Sequence, residues 1–259
     1  MKVKKLLIIP DKDNLEAYLE IAKNNNLGFE YNDFFLPHIL DDEKKVADTI
    51  NYYKSQIDLP DYCTSHGAFL DVTIFSDDRK IYEVSDCRIE QSLNIAQELG
   101  VKGVVFHTNF IPNFTLESYR KSWVERNYLY WSEKLRKYPQ MNIYMENMFD
   151  TDWELLAELA EKLSVYDNFG ICFDYAHAYV FGDEKKIDCW VEAFAPYVKH
   201  IHINDNDFKS DLHLALGEGI IDWNKFKEHY EGHFYDATVL LELKGVDKVK
   251  ASLELLNNL

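Results

Sequence analysis

The sequence predicts one (β/α)8 TIM barrel, an α/β fold, and three observations carry that expectation. Eight short apolar, β-prone runs are spread over the whole chain. Helical patterns separate successive runs, and strand–helix alternation is the mark of a parallel sheet. Eight such units in 259 residues match the size of a (β/α)8 barrel. A doubly wound open sheet usually has fewer strands, and no G-x-G-x-x-G follows the first run. No linker, low-complexity tract or charge block interrupts the chain, so a single domain over 1–259 is expected.

The first strand is expected at 4–10, KKLLIIP, where Pro10 stops an apolar run ahead of a helix over 12–25. LGFEYNDF at 27–34 is the second strand, with a helix over 42–55. YCTSHGAF at 62–69 precedes a helix over 80–99. VKGVVFHT at 101–108 precedes a helix over 115–137, with Thr115 as its expected N-cap. MNIYMEN at 141–147 leads to a helix over 152–164, capped by Thr151 or Asp152. FGICFDY at 169–175 comes before a helix over 184–194. VKHIHIND at 198–205 runs through a polar loop and GEGIIDW into a helix over 222–230, with Asp222 as N-cap. ATVLLEL at 237–243 is the eighth strand, and a helix over 245–257 follows it.

Composition excludes some functions. Apolar residues make up 47% of the chain, enough for a sizeable core. The formal charge of −17 argues against a large nucleic-acid or anionic-membrane footprint, since both need a basic face. A small anionic substrate stays open if a cation is bound locally. The four cysteines form no C-x-x-C pair, which with the chain length predicts a reducing, cytoplasmic location. The basic start MKVKKLLIIP has too short an apolar run for a signal peptide, and no run reaches the length of a membrane span.

In such a barrel the active site lies at the carboxyl ends of the strands. The titratable residues fall there in sequence: His66, His107, Glu146, Asp174 with His177 just beyond, His202, then Asp211 and His213 in the following loop, and Glu242. A lone histidine after a strand is ordinarily loop structure. A carboxylate closing an apolar strand is harder to dismiss, because a buried acid needs a partner or a metal. Two carboxylates ~5 Å apart repel by roughly 3 kcal/mol at an effective dielectric near 20. A divalent cation removes that repulsion, and carboxylates with imidazoles suit zinc or manganese better than calcium. His200 shares strand parity with His202 and is expected one layer below it. His38, His229 and His233 fall off the strand ends and are expected to be structural or solvent-exposed.

The motifs SHGAFLDVT, VVFHTNF, YMEN, CFDYAHA, HIHINDND, DLHLALGEGIIDW and LLELK, in that order, resemble those of the xylose isomerase-like TIM barrel superfamily. That group includes sugar isomerases, ketose 3-epimerases and the endonuclease IV type of abasic-site nuclease (AP endonuclease family 2). The likeness runs from about residue 60 to 245. For the epimerases it implies one divalent metal held by Glu146, Asp174, His202 and Glu242. For endonuclease IV it implies up to three ions, with His66, His107, His177, Asp211 and His213 added. The expectation drawn is a metal-dependent sugar or sugar-phosphate isomerase or epimerase, in which Glu146 and Glu242 move protons through a metal-stabilised enediolate. The alternative is a multinuclear zinc or manganese phosphoesterase. Lys209, Lys244, Asn109, Asn147 and Trp223 are candidates to hold the rest of a sugar or its phosphate. A nucleic-acid substrate is disfavoured by the acidic chain and by ENMFDTDWEL, which lacks the glycine-rich continuation of the nuclease. A non-catalytic sugar-binding barrel is the third class, and it has no need of two metal-flanking glutamates.

Overall fold

The computed structural model of the chain describes residues 1–56 and 62–259. Eight parallel strands close on themselves in sequence order: β1 (Leu6–Ile8), β2 (Gly28–Tyr31), β3 (Thr64–His66), β4 (Gly103–His107), β5 (Asn142–Glu146), β6 (Phe169–Asp174), β7 (Val198–Ile203) and β8 (Thr238–Leu241). β8 pairs with β1 to complete the barrel. Every expected strand forms, and each is shorter than its apolar run.

The helices are α1 (Leu15–Asn25), α2 (Pro37–Leu40), α3 (Glu43–Gln56), α4 (Arg79–Leu99), α5 (Glu117–Lys137), α6 (Glu154–Leu163), α7 (Tyr175–Val180), α8 (Ile187–Phe194), α9 (Trp223–His229) and α10 (Val246–Asn258). The sequence reading did not include α2 or α7. Both are short, and α7 begins directly at the end of β6. Asp174 closes the strand and caps this helix, its Oδ1 accepting from the His177 amide at 2.6 Å. The Asp222 cap forms as expected. Thr115 is not a cap, because α5 starts two residues later, behind Leu116. Thr151 is not one either: α6 starts at Glu154, whose amide is accepted by Asp152 Oδ1.

The main core lies between strands and helices, where Trp123, Trp131, Trp190, Phe173 and Phe194 are buried. The alternate strand residues turn toward the barrel axis. Several of these are apolar, as in Leu7, Leu240, Val105 and Tyr144. Toward the carboxyl ends they become His and acid. The register sets His107 beside Glu146 and Asp174 beside His202. None of the four cysteines is in a disulfide. Among the described residues no helix is long and apolar enough to cross a membrane.

Candidate metal centre

All nine expected residues meet at the carboxyl end of the barrel. Glu146 is at their middle and is 1% exposed. Its Oε2 lies 3.5 Å from His66 Nε2, 3.4 Å from His107 Nε2 and 3.5 Å from His202 Nδ1. Its Oε1 lies 3.5 Å from His177 Nδ1. The His66 and His107 Nε2 atoms are themselves 3.0 Å apart. His202 Nδ1 is 3.7 Å from Glu242 Oε2, and Glu242 lies one residue past the end of β8.

Four groups of possible donors have atoms within 4.8 Å of one another: His66–His107–Glu146, Glu146–Asp174–His177 and Asp174–His202–Glu242 among the nine, and Cys172–His200–His202 beside them. Glu146 and Asp174 each belong to two. The set expected for a third ion is strung out instead. Asp211 Oδ2 sits between the two rings, 3.4 Å from His177 Nε2 and 3.1 Å from His213 Nε2. Its loop carries His213 in a left-handed conformation, φ 46°.

Residues behind the centre fix this arrangement. His66, His177 and His213 donate Nδ1–H to the carbonyls of Gly67, Asn147 and Glu242 at 2.9, 3.0 and 2.9 Å. The loop after β7 is built on Asp205. This fully buried carboxylate accepts from the amides of Asn206, Gly217 and Ile221 and from Trp223 Nε1. Gly219 passes so close that a Cβ would lie 2.2 Å from Asp205 Oδ1, which accounts for the second glycine of GEG.

The proposed sugar-holding residues divide. Asn147 pairs with the Asp174 backbone, and Asn109 donates to the carbonyls of Phe69 and Val72. Trp223 is committed to Asp205. These three brace the site rather than facing its cavity. Lys209 is exposed in a turn organised by Asp207. Lys244 does line the cavity, with Lys248, which donates to the His213 carbonyl. The cavity has a volume of about 430 Å³, and Phe35, Phe69, Met148 and Leu212 give it apolar walls. Of the remaining histidines, His229 bridges Tyr175 and Asp188, and His233 is exposed.

The charges of this cluster balance only through protons or cations. Burial would push the Glu146 carboxyl up, but the rings of His202 and His107 outweigh it and hold it well below the carboxylate range. Burial, reinforced by Glu242 and Glu146, raises Asp174 to about 7. Burial opposes charge on His177 and His213, yet Asp174 and Asp211 respectively raise them to about 10 and about 9. Seven buried atoms of these residues have no hydrogen-bond partner: His107 Nδ1, Glu146 Oε2, Asp174 Oδ2, His177 Nε2, both nitrogens of His202 and Asp211 Oδ1. Buried polar atoms are rarely left so. Unpartnered carboxylate oxygens and imidazole nitrogens, gathered at one place, fit divalent metal ions.

One residue in contact with this set escaped the sequence reading. Glu30 on β2 is fully buried, and its Oε1 faces His202 Nε2 at 3.3 Å. The signal was present, since GFEY places an acid inside an apolar strand, as YMEN does.

The chain is similar to a probable endonuclease 4 of Halorhodospira halophila, with 25% identity over 185 residues, 63% of this chain and 61% of that protein. The match therefore spans less than two thirds of that relative. In fold it is similar to the TTHB071 protein of Thermus thermophilus, in a structure described as soaked with zinc chloride. The TM-score is 0.77 and the identity 23%, covering 100% of this chain and 97% of that one. A D-tagatose 3-epimerase-like protein superposes with a TM-score of 0.76 at 23% identity, covering 98% and 96%. Residues 21–259 match the family described as xylose isomerase-like TIM barrel, and the chain belongs to that family.

Proposed function

We propose that this chain is a metal-dependent phosphoester hydrolase whose centre holds two or three divalent ions, zinc or manganese. The observation that carries this reading is the sharing of Glu146 and Asp174 among three donor groups. A single ion on Glu146, Asp174, His202 and Glu242 would leave the buried His66 and His107, hydrogen-bonded Nε2 to Nε2 at 3.0 Å, without a ligand role. His66, His107 and Glu146 would hold one ion. Asp174, His202 and Glu242, with Glu146, would hold a second. His177, Asp211 and His213 are the donors for a third.

Bound ions at such a centre stabilise charge on the phosphoryl oxygens and make water a better nucleophile at neutral pH. The chain's own residues do the rest. Lys244 and Lys248 supply positive charge at the cavity wall, suited to phosphate oxygens. Phe35, Phe69 and Leu212 narrow the access of bulk water. The charge of −17 favours a small phosphoester, such as a sugar phosphate, over a nucleic acid. The family likeness to an endonuclease 4 supports the chemistry, and the free cysteines support a reducing, cytoplasmic location.

The isomerase or epimerase reading keeps one specific support. Glu146, Asp174, His202 and Glu242 form a complete set for one ion, beside a cavity that suits a monosaccharide. Against it, both oxygens of Glu146 face imidazole nitrogens, which hinders contact with a substrate carbon. Elemental analysis of protein purified without added metal, run beside phosphate-release and sugar-epimerisation assays, separates the two. Two or three metals per chain with phosphate release is the expected outcome. One metal with epimerisation supports the second reading, and metal-free protein active in either assay overturns both.

A further inference from the structure

The histidines of the centre differ in what holds the nitrogen that faces away from it. For His66 that nitrogen is Nδ1, donating to the Gly67 carbonyl; His177 and His213 also donate Nδ1–H to carbonyls, although these nitrogens lie 3.5 Å from Glu146 Oε1 and 3.7 Å from Glu242 Oε2. A carbonyl only accepts, so Nδ1 carries a proton, and in the neutral ring Nε2 keeps its lone pair for the centre. His202 is turned the other way. Its Nδ1 faces Glu146 and Glu242, and its Nε2 points at the Glu30 carboxylate, 3.3 Å away. His202 Nε2 and Glu30 Oε1 face each other at ion-pair distance, neither has a hydrogen-bond partner elsewhere, and the Cys172 thiol packs beside the same ring.

The other oxygen of Glu30 is already taken. Thr64 Oγ1 donates to Oε2 at 2.7 Å, and His200 Nε2 lies 3.0 Å from it. A carboxylate oxygen only accepts, so His200 Nε2 carries a proton toward Glu30, while the Thr238 hydroxyl lies between His200 Nδ1 and the Lys199 carbonyl. Oε2 thus receives two donors, and Oε1 is left for His202. Glu30, His200 and His202 are all fully buried, so water does not compete for these bonds.

We propose that Glu30 is a positioning residue for the metal centre. It accepts Nε2–H of His202, fixes the tautomer that leaves a lone pair on Nδ1, and strengthens that nitrogen as a ligand beside Asp174 and Glu242. It does with a side chain what backbone carbonyls do for His66, His177 and His213. The inference rests on the metal centre proposed above. Glu30→Gln attacks it at one atom. A glutamine has a single acceptor oxygen, which Thr64 and His200 both require. Its amide NH2 then faces His202 Nε2, and His202 must move its proton to Nδ1, losing the lone pair.

The test uses metal-free full-length protein with histidine-selective 15N labelling, His202 being assigned by its loss in His202→Gln. Long-range 1H–15N spectra read the tautomer, and titration with Zn²⁺ against a chromophoric chelator reads affinity. Wild type is expected to show Nε2–H on His202, and Glu30→Gln to show Nδ1–H. One zinc per chain is expected to bind about tenfold or more weakly in the variant. A folded Glu30→Gln with unchanged tautomer and unchanged zinc affinity overturns the proposal. Where that variant does not fold, Glu30→Asp keeps the charge with a shorter reach. It is expected to bind zinc more weakly than wild type, and wild-type affinity there overturns the proposal equally. A wild type that takes up no zinc sinks the metal centre itself. The tautomer of His202 then decides Glu30 alone, and Nδ1–H in wild type overturns it.

Discussion

Two rings of buried polar side chains cross the barrel, one above the other. The upper ring holds His66, His107, Glu146, Asp174, His202 and Glu242. The lower holds Glu30, Thr64, His200 and Thr238. Both are made of acids and imidazoles within an apolar shell, and the lower adds two hydroxyls. They differ in satisfaction. In the lower ring Glu30 Oε2, both nitrogens of His200 and both hydroxyls find partners. The upper ring leaves Glu146 Oε2, Asp174 Oδ2 and His202 Nδ1 facing one another unpartnered. A buried polar cluster that satisfies itself serves the fold, whereas one that does not is waiting for a ligand. Glu30 Oε1 is the atom that connects the two.

The sharpest break of this comparison is Glu146→Gln. It removes the carboxylate shared by two donor groups, so bound metal is expected to fall by at least one ion per chain on elemental analysis. Turnover of the identified substrate should drop by about a thousandfold or more, as for loss of a group that acts with others as a unit. Circular dichroism of the metal-free variant should show the fold retained. Full metal occupancy in this variant would end the reading of the upper ring as the metal centre.

Chelation is the next largest effect. An ion that binds the folded chain at 100 times its Kd adds about 2.7 kcal/mol of stability. Dialysis against a chelator is therefore expected to lower the melting temperature, and zinc or manganese to restore it. An unchanged melting temperature would mean that the upper ring satisfies itself after all.

His200→Phe addresses the lower ring. It takes one of the two donors from Glu30 Oε2 and leaves the Thr238 hydroxyl only the Lys199 carbonyl, at a cost of about 1–3 kcal/mol in denaturant unfolding. Metal content should stay at the wild-type count. Loss of metal with no loss of stability would reverse the roles assigned to the two rings.

The eight strands were legible because β-prone apolar runs end where polar loops begin. Glu146, Asp174 and Glu242 were legible because an ion closing such a run needs a reason. Glu30 gives the same signal, yet it lies in the middle of its expected run at 27–34 rather than at its end. What showed it was the short observed strand, Gly28–Tyr31, with its neighbours across the barrel. The helix α7 was missed because no loop precedes it; Asp174 serves strand, cap and site at once. The bracing roles of Asn109 and Asn147 depend on carbonyls 27 to 40 residues away, which local patterns do not reveal.

Asp150 gives the smallest and most discriminating prediction, because it breaks the simple link between buried acid and metal. It lies just past β5, is 3% exposed and accepts from the Thr108 hydroxyl and the Met148 amide. Its partners make it resemble the lower ring, although it sits near the upper one. Burial raises its carboxyl from the usual 3.8 to about 6. A group raised in the folded state contributes stability below its unfolded pKa and loses it as pH rises through the folded value. Between pH 5 and 7 that loss is about 1 kcal/mol by linkage. Asp150→Asn keeps an acceptor oxygen and removes the titration. Metal-loaded variant and wild type, unfolded in denaturant at both pH values, should therefore differ by about 1 kcal/mol more in the variant's favour at pH 7 than at pH 5. Metal content should be unchanged. A variant that loses metal would show that being hydrogen-bonded does not exempt a buried acid near the barrel mouth from serving the centre, and the division between the two rings would then have to be redrawn around that carboxylate.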